Sequence, residues 1–480
     1  MNVVNAIVAE NQKLGTRNWQ LTRPATKREI EGYASATSIN CGERIDLYVN
    51  TESPNFTLEV FRMGWYGGLG ARRTFGPVEV PGTVQVMPIM DPETGPMDCA
   101  WINPFTLTTN AADWLSGVYL ARLTTSDNGA QSYIIFVVRD DERKSGLLVQ
   151  LGVTTYQAYN YWGGKSLYNW GSSDGKRAQK VSFNRPYAAN AQNPAAAYGM
   201  GAGEFLTNLQ PHPDTYKVSN AGWDYNMVRW LEREGFDITY CTNLDTHCAP
   251  ILLQRHAAWL TIGHDEYWSW EMREHVEAAR DAGMHLGFFT ANCAYWQIRF
   301  EESASSRTAN RVMACYKKAS RDPLRKSGDP SKATDKWRSE MVNRPEEKLI
   351  GVMYAGDPVD ADIVINAPEH WVFSGTGLKS GATLPGLLGY EVDCAHGLGP
   401  ENLQILAESP WIALNDSSKQ GVAHMSIYVA ESGASVFAAG SIQWPWGLDD
   451  FNSPALRTSR LSPAAQQITR NVLARFLSDS

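Results

Sequence analysis

Hydrophobic and polar positions divide the 480-residue chain into two regimes. Over residues 1–143 the apolar positions fall in short, mostly alternating runs: 33–38 (YASATS), 44–49 (RIDLYV), 57–62 (TLEVFR), 116–123 (SGVYLARL) and 132–139 (SYIIFVVR). A period of two, punctuated by Gly, Pro, Asn and Asp, predicts an all-β module of the immunoglobulin-like sandwich kind. Within it, residues 62–73 (RMGWYGGLGARR) form a glycine-rich aromatic turn, either a tight hairpin end or a surface that docks on the second module and walls its cleft. The charged stretch 140–146 (DDERKSG) marks the boundary, giving domains 1–143 and 144–480.

Beyond that point the period changes. The apolar runs 147–154 (LLVQLGVT), 257–262 (AAWLTI) and 285–291 (HLGFFTA) are nearly continuous, as in strands that a parallel sheet buries on both faces. Between them lie an amphipathic helix over 222–232 stopped by Gly235, a strand over 236–240 and a short helix over 245–254. A further helix turns Trp270, Val276, Ala279 and Met284 inward, with Glu271, Arg273, Glu274 and Arg280 outward. This βαβα alternation predicts an α/β domain with a flavodoxin-like parallel sheet. After Glu301 the pattern weakens; strands are expected at 349–354, 363–365, 372–373, 403–407, 426–430 and 435–440, and a final helix over 463–477.

Open parallel sheets hold ligands beyond the carboxyl ends of their strands. Three turns follow such ends: 155–170 (TYQAYNYWGGKSLYNW), 263–268 (GHDEYW) and 292–296 (NCAYW). All are polar and aromatic, and aromatic residues in polar turns suit the walls of a cleft. Residues 172–203 lack periodicity and read as a long, lid-like loop.

Composition narrows the function. A net charge of −8 argues against a nucleic-acid partner. No apolar run approaches the ~20 residues of a membrane span, and the opening residues lack a signal-peptide pattern. Seven scattered cysteines fit free thiols in a reducing, cytoplasmic setting.

G-x-S-x-G, H-E-x-x-H and C-x-x-C are all absent. Cys293 could serve as a nucleophile with His264 as base and Asp265 orienting it. A second constellation is rich in oxygen: Asp265, Glu266 and Tyr267 in one turn, with Tyr225 at a helix start. Phenolate and carboxylate together suit a hard cation such as ferric iron. Exposed aromatic turns beside a β-sandwich also suit a non-catalytic carbohydrate- or peptide-binding protein.

The motif Gly263-His-Asp-Glu-Tyr-Trp268, with 292–296 and the helix 224–232, resembles the large (β) subunit of N,N-dimethylformamidase and its single-chain relatives. The turn 62–72 and the loop 155–160 are similar to those of the single-chain members. The resemblance implies an amidohydrolase on a class I glutamine amidotransferase-like fold, cleaving a small amide with mononuclear iron held by two tyrosinates and a carboxylate. Carried onto this chain, the iron ligands are Tyr225, Tyr267 and Asp322, with Asp329 and Glu301 as alternatives for the carboxylate. The chain departs from the formamidase there, having no glutamate between Glu302 and Trp337. His264 and Glu266 then orient Tyr267, and Asn292 is expected to donate to a substrate carbonyl or oxyanion. The formamidase pairs with a small subunit; for this chain such a partner, or a homo-oligomer, is left open.

Overall fold

The computed structural model describes residues 5–211 and 219–478. It is a mixed α/β structure with a strand-rich N-terminal region. There a three-stranded sheet (Ile30–Ala34, Arg44–Thr51, Phe105–Thr108) accompanies a five-stranded sheet in the order Ser38–Asn40, Gln131–Arg139, Gly117–Thr125, Asn55–Met63, Ala71–Pro81. Alternation produces this: Ile45, Leu47, Val49 and Thr51 of one strand are buried and their neighbours are not. Apolar residues of both sheets, among them Ile45, Leu47, Leu58 and Ile134, belong to one buried cluster that continues into the α/β region.

The α/β region is built on a seven-stranded sheet. In chain order its elements are β1 (Leu147–Leu151), α1 (Val153–Tyr159), α2 (Asp224–Glu234), β2 (Ile238–Thr242), α3 (Asn243–Cys248), β3 (Ala258–Ile262), α4 (Trp270–Asp281) and β4 (His285–Phe289). Then follow β5 (Gln404–Ala413), β6 (Asp416–Val429), β7 (Ser435–Ala438) and α5 (Pro463–Ser478). Across the sheet the order is β2-β1-β3-β4-β7-β6-β5. The first five are parallel; β6 and β5 extend the sheet antiparallel. Every residue of β1, β2, β3, β4 and β7 is buried, which is why their sequences read as unbroken apolar runs. The chain passes from β1 outward to β2 and returns on the other side as β3. That reversal opens a crevice at the carboxyl ends of β1 and β3.

A long hairpin, Met353–Val364 with Thr383–Cys394, reaches this crevice. So does a small four-stranded sheet in the order Lys180–Ser182, Val312–Ala314, Trp296–Glu301, Tyr267–Ser269. Several expectations are corrected. Residues 245–254 are not one helix, because Pro250 breaks α3 from a 3₁₀ turn over Pro250–Arg255. Val372 and Phe373 lie in a 3₁₀ turn. Arg273 points inward: its guanidinium donates to Glu277 and the Pro345 carbonyl and stacks 4.8 Å from the Trp337 ring centroid. A long side chain can satisfy its charge inside a groove, a possibility that periodicity does not register.

The glycine-rich turn docks on α2 and does not line the crevice. Arg62 donates two hydrogen bonds to Glu232, at 3.0 and 2.8 Å, with both side chains fully buried. Tyr240 donates to the same carboxylate at 3.0 Å. Beside them Tyr66 donates to Glu10 at 2.8 Å. Burial alone would raise the Glu10 carboxyl, but Arg62, Arg72 and Lys13 outweigh it and hold it at about 2.

Removing one member of a buried ion pair strands the other charge. Glu232→Gln is therefore expected to destabilise the protein by about 3–5 kcal/mol, read from equilibrium urea unfolding. Glu10 contributes stability that is complete above its ordinary carboxylate range and is lost as pH falls toward about 2. Glu10→Gln should accordingly flatten the decline in Tm on acidification through that window.

Candidate functional site

Strand β3 ends at Ile262, and Gly263 turns the chain with φ +70°. A Cβ there would lie 1.9 Å from a carboxylate oxygen of Asp224, so only glycine fits. The fully buried Asp265 then secures the turn. Its carboxylate accepts from Asn243 at 2.8 Å, Gln150 at 2.8 Å and Thr261 at 2.7 Å. Its backbone carbonyl accepts from Ala294 N at 2.9 Å, joining the 263–268 turn to the 292–296 turn. With β1, α3 and β3 all tied to one carboxylate, the next two side chains have defined directions.

Glu266 is the hub of the site. Its carboxylate accepts from the Tyr159 hydroxyl at 3.0 Å and from the Tyr168 hydroxyl at 2.8 and 3.0 Å. Tyr267 donates to the Tyr168 oxygen at 2.7 Å. Burial and the neighbouring charge of Glu266 push the Tyr159, Tyr168 and Tyr267 hydroxyls well above the usual phenol range. Burial, together with Glu391, raises Glu266 itself. His264 Nε2 lies 3.2 Å from Glu391 and 3.6 Å from Glu266. Burial would lower this histidine, yet the surrounding carboxylates lift it to about 10, leaving an imidazolium at neutral pH. The Gln210 side-chain amide is 3.4 Å from its Nδ1.

The hairpin adds two acids on one strand face: Asn292 donates its side-chain N–H to Glu391 and its backbone N–H to Asp393, the latter at 2.8 Å. Burial raises Asp393 to about 7. Lys317, also buried, holds its ammonium 3.5 Å from the Tyr168 ring centroid and 4.9 Å from that of Trp296. Burial, opposed by the attraction of Glu266, lowers it to about 8. These groups surround a cleft of about 200 Å³ lined by Tyr159, Tyr168, Glu266, Asn292, Asp357 and Glu391 with further aromatic side chains.

The structure brings together Glu266, Tyr267, His264 and Asn292. Tyr225 is placed elsewhere: its hydroxyl donates to the Gly70 carbonyl at 2.6 Å, among Trp19, Phe205 and Phe451. Asp322 is likewise engaged elsewhere, capping a 3₁₀ turn and accepting from Arg299 at 2.6 Å and from Thr334. Neither contacts Tyr267. Asp329 caps its own loop through Ser331, and Glu301 pairs with Lys180 and Arg299. The ligand set read from the sequence is therefore not assembled.

Among the described residues no cluster of three or more His, Cys, Asp or Glu could hold a metal ion. The oxygens that do converge are those of Tyr168, Tyr267 and Glu266, with Tyr159 beside them. They are joined by hydrogen bonds of 2.7–3.0 Å, and phenol and carboxylate oxygens are the donor types that a hard cation takes.

Asn292 donates one side-chain N–H to Glu391, and its side-chain oxygen, an acceptor, has no partner. Cys293 is buried, and burial with the charges of Asp265 and Asp393 pushes its thiol far above the range in which a thiolate forms. Sequence reasoning missed Tyr159, Tyr168, Glu391 and Lys317 around Glu266, and Asp393 beneath Asn292. The available signal was two acids, Glu391 and Asp393, at alternate positions of an otherwise apolar strand (LLGYEVDC). Lys317 reads as solvated loop charge beside Lys318, but a left-handed φ of 59° accompanies its burial.

Sheet and cleft together define an α/β protein with a carboxylate–phenol centre at a parallel sheet's reversal point. The chain belongs to the N,N-dimethylformamidase beta subunit-like family, whose C-terminal family model matches residues 57–457. No curated protein matches it. Among solved structures, an AA10 lytic polysaccharide monooxygenase from Streptomyces lividans matches over 22% of this chain and 58% of its own length. Identity is 22% and the TM-score 0.14, a likeness that carries no argument.

Thiol labelling tests the demotion of Cys293. Native protein at pH 8 should react with an aromatic disulfide reagent at exposed Cys248, while Cys293 stays unmodified until denaturant is added.

Proposed function

We propose that the protein hydrolyses the C–N bond of a small amide at this cleft, with Glu391 as the base that activates water. The observation that carries the reading is the buried Glu266–phenol cluster beside the His264–Glu391 pair, open to a cleft of about 200 Å³. Membership of a dimethylformamidase-like family supports the reaction class.

The amide carbonyl lies toward Tyr159, whose hydroxyl turns from Glu266 to donate to its oxygen. The free Asn292 oxygen accepts the amide N–H. Glu391 takes a proton from water as the oxygen attacks the carbonyl carbon, and returns it to the nitrogen as the C–N bond breaks. The products are a carboxylic acid and an amine. His264, positively charged, holds Glu391 and Glu266 in place and is a positioning residue. Iron belongs to this proposal, with Tyr168, Tyr267 and Glu266 in place of the ligand set inferred from sequence; when bound it would supply Lewis acidity toward a carbonyl or a water. A reducing, cytoplasmic setting fits the seven free cysteines, and a partner subunit fits the family's description as a beta subunit. The scaffold reading of a flavodoxin-like sheet preceded by an immunoglobulin-like sandwich is part of the same proposal.

Two measurements test this. Glu391→Gln should lower kcat for amide hydrolysis by ~10²–10⁴-fold with an unchanged circular dichroism spectrum, at a reduced Tm because His264 loses its nearest carboxylate. Unchanged turnover in a folded variant removes Glu391 from the reaction. Metal analysis of purified protein should find iron that is lost in Tyr168→Phe and Tyr267→Phe and retained in Tyr225→Phe and Asp322→Asn. The reverse pattern restores the ligands expected from sequence.

A further inference from the structure

Beyond the reacting amide, the cleft has a chemical bias. Its outer walls are the rings of Trp170, Tyr295, Trp296, Tyr354 and Tyr390, and Tyr295 and Tyr354 meet edge to face at 5.2 Å. Asp357 also lines the cleft, and one of its oxygens accepts from the Tyr354 hydroxyl. Among the described residues no lysine or arginine lines the cleft. Lys317 stands over the Trp296 ring, and Lys336 and Arg338 over that of Tyr295, without joining the lining; Arg338 is already paired with Glu346.

A second observation points the same way. Asn292 is 4% exposed, and because its N–H₂ faces a carboxylate its oxygen must face away from it. That oxygen has no partner. A buried acceptor left unpaired is unfavourable unless a ligand supplies a donor. Beside it stand the carboxylates of Asp357, held by Tyr354, and Glu391, held by Asn292 and His264, all set within aromatic faces. Such surroundings attract ammonium groups, through ring quadrupoles and carboxylate charge together.

We propose that the substrate is a small amide bearing an ammonium group, seated against Asp357 and the rings of Tyr295 and Tyr354, with its amide N–H on the free oxygen of Asn292. This rests on the amide-hydrolase reading for the scissile bond but not for the cation seat. Neutral formamides fill the reacting end of the cleft alone; a cationic amide fills both ends.

The test uses two isosteric probes, (carboxamidomethyl)trimethylammonium and 3,3-dimethylbutanamide, which differ only in a quaternary nitrogen against a quaternary carbon. Binding to the intact protein is measured by calorimetry, and hydrolysis by released ammonia. The cationic probe is expected to bind at least ~10-fold more tightly. Asp357→Asn should bring the two affinities toward equality. Tyr295→Leu, which leaves the carboxylate in place, should also reduce the ratio and serves if the first variant fails to fold. Equal affinity of the two probes for the parent protein overturns the proposal, whether or not either is hydrolysed. Preferential binding of the cation without hydrolysis of either probe upholds the cation seat and sinks the amide-hydrolase reading. Hydrolysis of the neutral probe with no preference does the converse.

Discussion

One buried carboxylate sets the geometry on which the cleft depends. Asp265 accepts hydrogen bonds from β1, β3 and the start of α3. Burial raises its carboxyl, and the bonds from Thr261, Asn243 and Gln150 oppose that shift. An ionised group without such partners would be costly in this interior. With them, the Asp265 side chain becomes a rigid junction where three elements would otherwise be free to shift. The direction of Glu266, and hence of the phenols gathered on it, follows from that junction.

Around it the site concentrates charge that the rest of the interior avoids. Glu204, Glu266, Glu391 and Asp393 are buried near one imidazolium and one ammonium, and Glu204 and Asp393 are both pushed up to about 7. Raised carboxyls of this kind are the mark of a place where acids are held together against their mutual repulsion. An aromatic core surrounds these groups. Trp259, Trp268 and Trp337 are fully buried in the cluster that packs against α4, and Trp223 and Trp446 stack on the other side of His264. The electrostatics of the centre are thereby kept apart from bulk water.

Much of this arrangement is legible in the chain. The unbroken runs of β1, β3 and β4 show on their face that both sides are covered, and glycine and polar residues after them mark the crevice. The aromatic turns at 155–170 and 292–296 likewise supply the cleft walls Tyr159, Tyr168, Trp170, Tyr295 and Trp296. Partner choice over long range is less legible. Helical periodicity shows that Tyr225 faces inward but not that the inward neighbour is the Gly70 carbonyl, 155 residues away in the other region. Asp322 looks like any acid in a polar loop, and only the tertiary fold reveals Arg299 and Thr334 around it. Glu391 arrives on a hairpin that the weakened pattern after Glu301 did not delineate.

The Arg62–Glu232 pair carries a further consequence for how this molecule can be taken apart. It joins a strand of the strand-rich region to a helix of the sheet region with both side chains fully buried, and Tyr225 on Gly70 seals the same seam. Dissecting the chain near residue 143 would leave a bare guanidinium on one fragment and a bare carboxylate on the other. Each would face solvent across apolar surface that evolved as interior. Recombination with foreign modules at that junction is thus chemically restricted, and the strand-rich region travels with its partner as inherited architecture rather than as a detachable accessory.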